Sequence, residues 1–177
     1  MTTSIHQATA QDIPALEALV NSAYRGEASQ QGWTTEAHLL KGNLRTDAAS
    51  LTAIFNDPTA VILTCKNAEG ELLGCVYLQK QEKKLYLGML SVLPGLQGGG
   101  MGKQLMAAAE DHARAIGCDT IVMTVISVRT ELIDWYQRRG YALTGETQPF
   151  PVDDRFGTPT QPLEFVVLSK AAGNDER

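Results

Sequence analysis

The chain has 177 residues, 44% of them apolar and 20% charged, with a formal net charge of -5. That length suits one domain with a sizeable core, and an acidic balance without a basic cluster argues against nucleic-acid binding. No apolar run reaches the ~18 residues of a membrane span, and the start Met1-Thr2-Thr3-Ser4-Ile5-His6-Gln7 lacks the cationic and apolar regions of a secretory signal. Cys65, Cys75 and Cys118 sit in apolar, strand-like runs with no CxxC pair, the pattern of reduced core residues in a cytoplasmic protein.

In chain order, Ile5–Ala8 reads as a short strand. Asp12 is placed to cap a helix with Pro14 in its first turn and Leu16, Leu19 and Val20 on one face. Thr34 or Thr35 is placed to cap a second helix through Leu40. Asp47 starts a third through Phe55, which Asn56-Asp57-Pro58 ends. Ala60–Cys65 and Leu72–Gln79 flank Asn67-Ala68-Glu69-Gly70, whose turn chemistry predicts a β-hairpin. Leu85–Val92 is the next strand. A helix over Met101–Ile116 buries Leu105, Met106, Ala109, Ala113 and Ile116, and Gly117 ends it. Asp119–Ile126 is almost wholly apolar and β-branched, as in a strand covered on both faces. Thr130–Arg139 is a helix closed by Gly140, and Tyr141–Glu146 and Leu163–Ser169 are the last strands. Thr147–Pro162 holds four of the seven prolines and reads as a loop, and 171–177 as a frayed tail.

The stretch from Leu87 to Gly102 carries most of the functional information. A buried strand runs into Pro94 and the glycine-rich Gly95-Leu96-Gln97-Gly98-Gly99-Gly100-Met101-Gly102, and then into a helix. Unpaired N–H groups and the positive end of a helix dipole favour an anion there, phosphate in particular. A Walker loop requires G-x-x-x-x-G-K-[ST], but Gln104 follows Gly102-Lys103, and Gln97 stands where the first glycine belongs. A dinucleotide fingerprint requires G-x-G-x-x-G in the first strand–helix unit, whereas Gly98, Gly100 and Gly102 come mid-chain after a hairpin.

Gln97-x-x-Gly100-x-Gly102 after Leu90-x-Val92-x-Pro94 resembles the acetyl-CoA loop of the GCN5-related N-acetyltransferases, the GNAT family, with its [QR]-x-x-G-x-[GA]. Trp135-Tyr136-Gln137-Arg138-Arg139-Gly140-Tyr141 resembles the family's helix-end pattern at the matching distance, so the likeness spans about Tyr86 to Glu146. It implies an α/β (α+β) GNAT fold, a single mixed, mostly antiparallel twisted sheet of six to seven strands with about four to five flanking helices. It also implies one acetyltransferase domain over 1–177 and acetyl-CoA as cofactor. Two positions depart from the pattern: Gly99 stands where the family often has Arg, and Arg129 where it often has Asn.

By the same resemblance, Leu90, Val92, Gln97, Gly98, Gly99, Gly100, Met101, Gly102, Lys103, Arg129 and Tyr136 would hold the cofactor. The strand before the loop would bulge and splay, presenting the main chain of Leu90 and Val92 to the pantetheine. Tyr136 would act as general acid and the Leu90 N–H would polarise the carbonyl. Some relatives carry a catalytic Glu where Tyr86 falls here, so a water chain or a distant group is expected to serve as base, with Glu27, Glu36, His38 and Asp154 as candidates. His6 and His112 read as structural or exposed, and no metal-ligand cluster is seen.

The acceptor wall is expected from Tyr24, Glu27, Trp33, Glu36, Tyr86 and Arg155. Arg25, Arg45 or Arg155 would clamp a substrate carboxylate bidentately. The reading is therefore an N-acetyltransferase acting on a small polar, amino-acid-like amine in a ternary complex. The alternatives are a non-catalytic acyl-CoA-binding or sensor domain and a nucleotide-binding protein. Neither nucleic acid nor membrane is expected as a partner, and the last strands are compatible with a homodimer.

Overall fold

The computed structural model describes residues 2–25, 35–42, 44–97, 99–151 and 154–172. One seven-stranded sheet organises them. The strands are β1 (Thr3–Gln7), β3 (Ala60–Asn67), β4 (Leu72–Gln81), β5 (Lys84–Val92), β6 (Thr120–Ile126), β7 (Ala142–Pro149) and β9 (Glu164–Ala171). Their order is β1-β3-β4-β5-β6-β9-β7, with β5–β6 parallel and every other pair antiparallel. The short β2 (Leu40–Lys41) and β8 (Thr158–Pro159) form a separate two-stranded pair.

Four α-helices flank the sheet among the described residues: α1 (Ile13–Tyr24), α2 (Ala48–Phe55), α3 (Met101–Ala115) and α4 (Thr130–Arg138). Helix α1 turns Leu16, Leu19, Val20, Ala23 and Tyr24 inward and, with Leu51 of α2, covers Ile62, Cys75 and Met89. On the opposite face α3 sets Met101, Leu105, Met106, Ala109 and Ala113 against Leu63, Cys65, Val76 and Leu78. Successive strand residues serve opposite cores, the consequence of a two-residue side-chain period. Cys65, Cys75 and Cys118 are buried and unpaired.

Local chemistry sets the boundaries. Asp47 accepts from Ser50 N (2.8 Å) and caps α2. Asn67 Oδ1 accepts from Glu69 N and Glu71 N and shapes the β3–β4 turn.

Several expectations need correction. Asp12 holds the N-cap position of α1, but its carboxylate turns back to Thr9 N (2.9 Å) and across to Lys66 Nζ (2.9 Å). The second helix expected through Leu40 is, over residues 35–42, a single turn closed by Leu40 N on Glu36 O and followed by β2. Its other capping candidate, Thr34, lies outside the described residues. Strand β6 is covered differently on its two faces: Ile121, Met123 and Val125 join the core, while Val122 and Thr124 are only half-buried and line a cavity that Met123 and Val125 also border. The proline-rich loop is partly ordered into the end of β7 and into β8, where Thr158–Pro159 finds β2 as a partner. Tyr141 precedes β7 and is buried against α4. Ala171 and Ala172 are not frayed. Ala171 pairs with Thr120, Ala172 N donates to Asp119 O, and Arg114 Nη1 donates to Ala172 O.

Candidate active site

The site begins where β5 and β6 part. They pair only at Lys84↔Thr120, Leu85↔Ile121 and Tyr86↔Val122, while β6 stays paired with β9 along its whole length. A bulge bends β5 at the same point: between Tyr77↔Gly88 and Cys75↔Ser91, Met89 and Leu90 together oppose Val76. Met89 takes φ +53°, a left-handed conformation that costs a non-glycine residue about 1–2 kcal/mol. Three groups hold the bulge in place. Met89 O accepts from Ser91 Oγ (2.9 Å) and from Cys75 Sγ (3.8 Å), and Leu90 O accepts from the Tyr24 hydroxyl. Leu90 has no register partner on β4 or β6.

Two cavities meet at this bulge. The larger, about 650 Å3, opens between the splayed strands and is walled by Tyr86, Thr124, Arg25, Glu36, Arg45 and Phe156. The smaller, about 270 Å3, runs between the first turn of α3 and α4 and is lined by Gln97, Gly100, Lys103, Trp135, Arg138 and Arg139. Tyr24, Leu90, Leu132 and Tyr136 line both. Backbone conformation calls for glycine at one place. Gly100 enters α3 with φ +87°, a conformation glycine adopts without a Cβ penalty. Gly102 lies on the wall of the smaller cavity beside Trp135, where a Cβ would make an ordinary 3.5 Å contact with the ring.

Charge is unevenly distributed. Glu36 is buried with one oxygen on Arg25 Nη1 and the other on Arg129 Nη1 (3.1 Å). Arg25 also donates from Nε (3.3 Å) and Nη2 (3.1 Å) to Phe156 O. Burial draws the Arg25 pKa down, against the pull of Glu36. With both carboxylate oxygens engaged by guanidinium groups, Glu36 is a tie between chain segments and a poor general base. Arg45 lies over the Tyr24 ring, 5.8 Å from its centroid, and lines the larger cavity. Three guanidinium groups against one carboxylate leave the described part of that cavity cationic.

Both tyrosines at the junction keep their protons. Burial, reinforced by the Glu36 carboxylate, pushes the Tyr24 hydroxyl up to about 12. Burial, with nearby Tyr24 adding to it, pushes Tyr136 well above its ordinary value of 10. The Tyr24 proton is committed to Leu90 O. Tyr136 stacks edge-to-face between Trp135 and Tyr141, with ring centroids 5.2 and 6.0 Å away.

Among the residues expected to hold the cofactor, Leu90, Val92, Gln97, Gly100, Met101, Gly102, Lys103 and Tyr136 converge on the smaller cavity. Gln97 Nε2 donates to Val92 O (3.1 Å), so that carbonyl is engaged within the chain. Gly99 is exposed and absent from the cavity wall, and Gly98 lies outside the described residues. Arg129 lines the larger cavity, drawn there by Glu36, in place of the cofactor side expected for it.

Among the acceptor-wall candidates, Tyr24, Glu36 and Tyr86 line the larger cavity, and Tyr86 Oη lies 3.3 Å from Thr124 Oγ1 across the splay. Arg155 is exposed over the Phe156 ring, 4.9 Å from its centroid, and does not line that cavity. Glu27, Trp33 and the Asp154 side chain lie outside the described residues. His38 is not among the residues lining either cavity. Arg138 and Arg139 were missed as cavity-lining residues, although they sit inside the helix-end motif two and three positions after Tyr136. A doublet of cations there reads equally as pairing with the last carbonyls of a helix.

Residues 16–141, more than half of the chain, match the Acetyltransferase (GNAT) family. The chain belongs to that family. Over 80 residues it is 34% identical to a streptothricin acetyltransferase of Streptomyces lavendulae, covering 44% of this chain and 42% of that protein. Over 95 residues it is 35% identical to a mycothiol acetyltransferase of Streptomyces avermitilis, covering 51% of this chain and 29% of that protein. The matches thus span less than half the length of these curated relatives. A Salmonella typhimurium protein solved with its cofactor acetyl-CoA shares the fold, with a TM-score of 0.70 at 16% identity over 100% of this chain and 98% of that one.

Proposed function

We propose that this chain is an acetyl-CoA-dependent N-acetyltransferase, a single acetyltransferase domain over 1–177, acting on the primary amine of a small polar, amino-acid-like acceptor in a ternary complex. The observation that carries the reading is the meeting of two cavities at Tyr24, Leu90 and Tyr136. One cavity has the bare backbone of Gly100 and Gly102 at a helix start, and the other has a polar, cationic wall.

The residues present fit the cofactor. The first turn of α3 presents N–H groups without intrahelical partners to its pyrophosphate. Gly100 and Gly102 put no side chain in the way, and Arg139, one of whose guanidinium nitrogens is buried without a hydrogen-bond partner among the described residues, lines the same cavity. When bound, acetyl-CoA supplies the acetyl group as a thioester. The main-chain N–H of Leu90 is the donor for the acetyl oxygen, held in position by Tyr24 on the Leu90 carbonyl. Tyr136, protonated throughout the working pH range, holds the proton that the departing sulfur requires. The acceptor lies against Tyr86 and Thr124, and Arg45 attracts its carboxylate. The described wall offers no free carboxylate or histidine as a base, so a water chain or a more distant group takes the proton of the amine. Three unpaired cysteines suit a cytoplasmic location. A homodimer through the last strands would use β7, which is exposed along its whole length.

Thiol release from acetyl-CoA over a panel of amines tests the reading. The expected result is turnover with amino acids exceeding that with their amides. Tight CoA binding with no turnover on any amine would instead make this a non-catalytic acyl-CoA-binding domain.

A further inference from the structure

The loop that should receive a polyanionic cofactor carries no charge: Leu93 to Gly102 contains neither a cationic nor an acidic residue. Backbone N–H groups supply partial charge alone. The smaller cavity nevertheless has Lys103, Arg138 and Arg139 on its wall, and no acidic side chain lines it among the described residues. In a chain of net charge -5, three cations without a counter-charge on one small cavity form a built electrostatic feature.

Arg139 is the most specific of the three. Its guanidinium lies on the Trp135 ring, with Cζ 4.8 Å from the centroid. Its Nη1 is buried without a hydrogen-bond partner among the described residues. Buried polar atoms in native proteins are almost always satisfied, so this nitrogen calls for an acceptor that the described residues do not supply, and the Arg139 side chain that carries it lines the smaller cavity. Pairing with the carbonyls at the end of α4 accounts for a cation at 138 or 139, but leaves this nitrogen unexplained.

We propose that Arg139, assisted by Arg138 and Lys103, binds a phosphate group of coenzyme A, so that α4 supplies the positive charge that Gly99 leaves out of the loop. The stack on Trp135 fixes the guanidinium plane, and a planar fork suits phosphate oxygens. This inference rests on the coenzyme A reading above.

Calorimetric titration of the whole chain with CoA, 3′-dephospho-CoA and pantetheine tests it, using Arg139→Gln, Arg139→Lys and Arg138→Gln. Melting of each ligand-free variant controls for folding. The expected result is that Arg139→Gln weakens CoA about ten- to hundredfold, the range of one charge-assisted hydrogen bond, while Arg139→Lys recovers part of the loss and pantetheine binding is unchanged. A loss for CoA alone assigns the contact to the 3′-phosphate, and a loss for CoA and dephospho-CoA alike assigns it to the pyrophosphate; both support the proposal. CoA binding as tight in Arg139→Gln as in the unaltered chain overturns it, as does an equal loss for pantetheine, which would make Arg139 a packing residue for Trp135. If the unaltered chain binds none of the three ligands, the coenzyme A reading itself fails.

Discussion

Tyr136 and Tyr24 line the same junction, and what separates them is where each proton goes. Tyr24 donates to Leu90 O, so it positions the bulge, whereas Tyr136 is the residue proposed above as the donor for a leaving thiolate. Tyr136→Phe should lower kcat by about 10²- to 10⁴-fold, the usual contribution of a general acid, with CoA affinity retained; steady-state kinetics beside CoA titration checks this. The pH dependence follows from the direction of its shift. A general acid must be protonated, and burial places its pKa well above 10. Activity of the unaltered chain should therefore show no descending limb from this group up to about pH 9, since its ordinary pKa of about 10 is raised further. Glu36 makes a different demand. Glu36→Gln leaves Arg25 and Arg129 buried without their counter-charge, and removing one partner of a buried ionic group costs about 3–5 kcal/mol. Urea unfolding should show a loss of that size, where a surface carboxylate would lose almost nothing. Both oxygens of Glu36 being occupied is also why a residue that looked like a candidate base in the sequence is a structural one.

At the level of elements, α3 and α4 behaved as their periodicity implied, because each buries one apolar stripe in the main core. The short second helix did not, because residues 40–41 gain strand partners in 158–159, a pairing across more than a hundred residues that no local pattern encodes. Asp12 likewise has the identity of a helix cap but a tertiary role. It ties the start of α1 to Lys66 on β3. Partial burial raises its pKa, but the Lys66 ammonium and the Thr9 N–H outweigh that and draw it below its ordinary value. A carboxylate depressed in the folded state contributes stability that is present above its unfolded pKa and is lost as pH falls through the folded one. Asp12→Asn should therefore lower the melting temperature at pH 7, and the gap from the unaltered chain should close as pH falls below about 4, since the ordinary Asp value is near 3.9. Melting curves from pH 7 to 3 check this, and a gap that widens in acid would contradict it.

At the scale of the molecule, the smaller cavity is walled by α3 and α4, and the inner faces of those helices belong to the main core. A ligand that bridges them should stabilise the whole chain. CoA at a hundred times its Kd should add about 2.7 kcal/mol, read as a rise in melting temperature that ATP does not reproduce; a larger shift with ATP would favour a nucleotide-binding protein. Family, sheet and cofactor loop were legible in the linear sequence, since Gln97-x-x-Gly100-x-Gly102, Trp135-Tyr136 and the alternation of apolar residues are local patterns set by backbone conformation and side-chain period. What only the tertiary structure decided depends on residues distant in sequence. The Arg25–Glu36–Arg129 tie joins three segments, Tyr24 reaches Leu90 across 66 positions, and Arg129 lines the larger cavity and not the smaller because Glu36 holds it there. Spacing could locate the loop, but Arg138 and Arg139, the charge proposed to complete it, share a cavity wall with it only when α4 packs beside the start of α3.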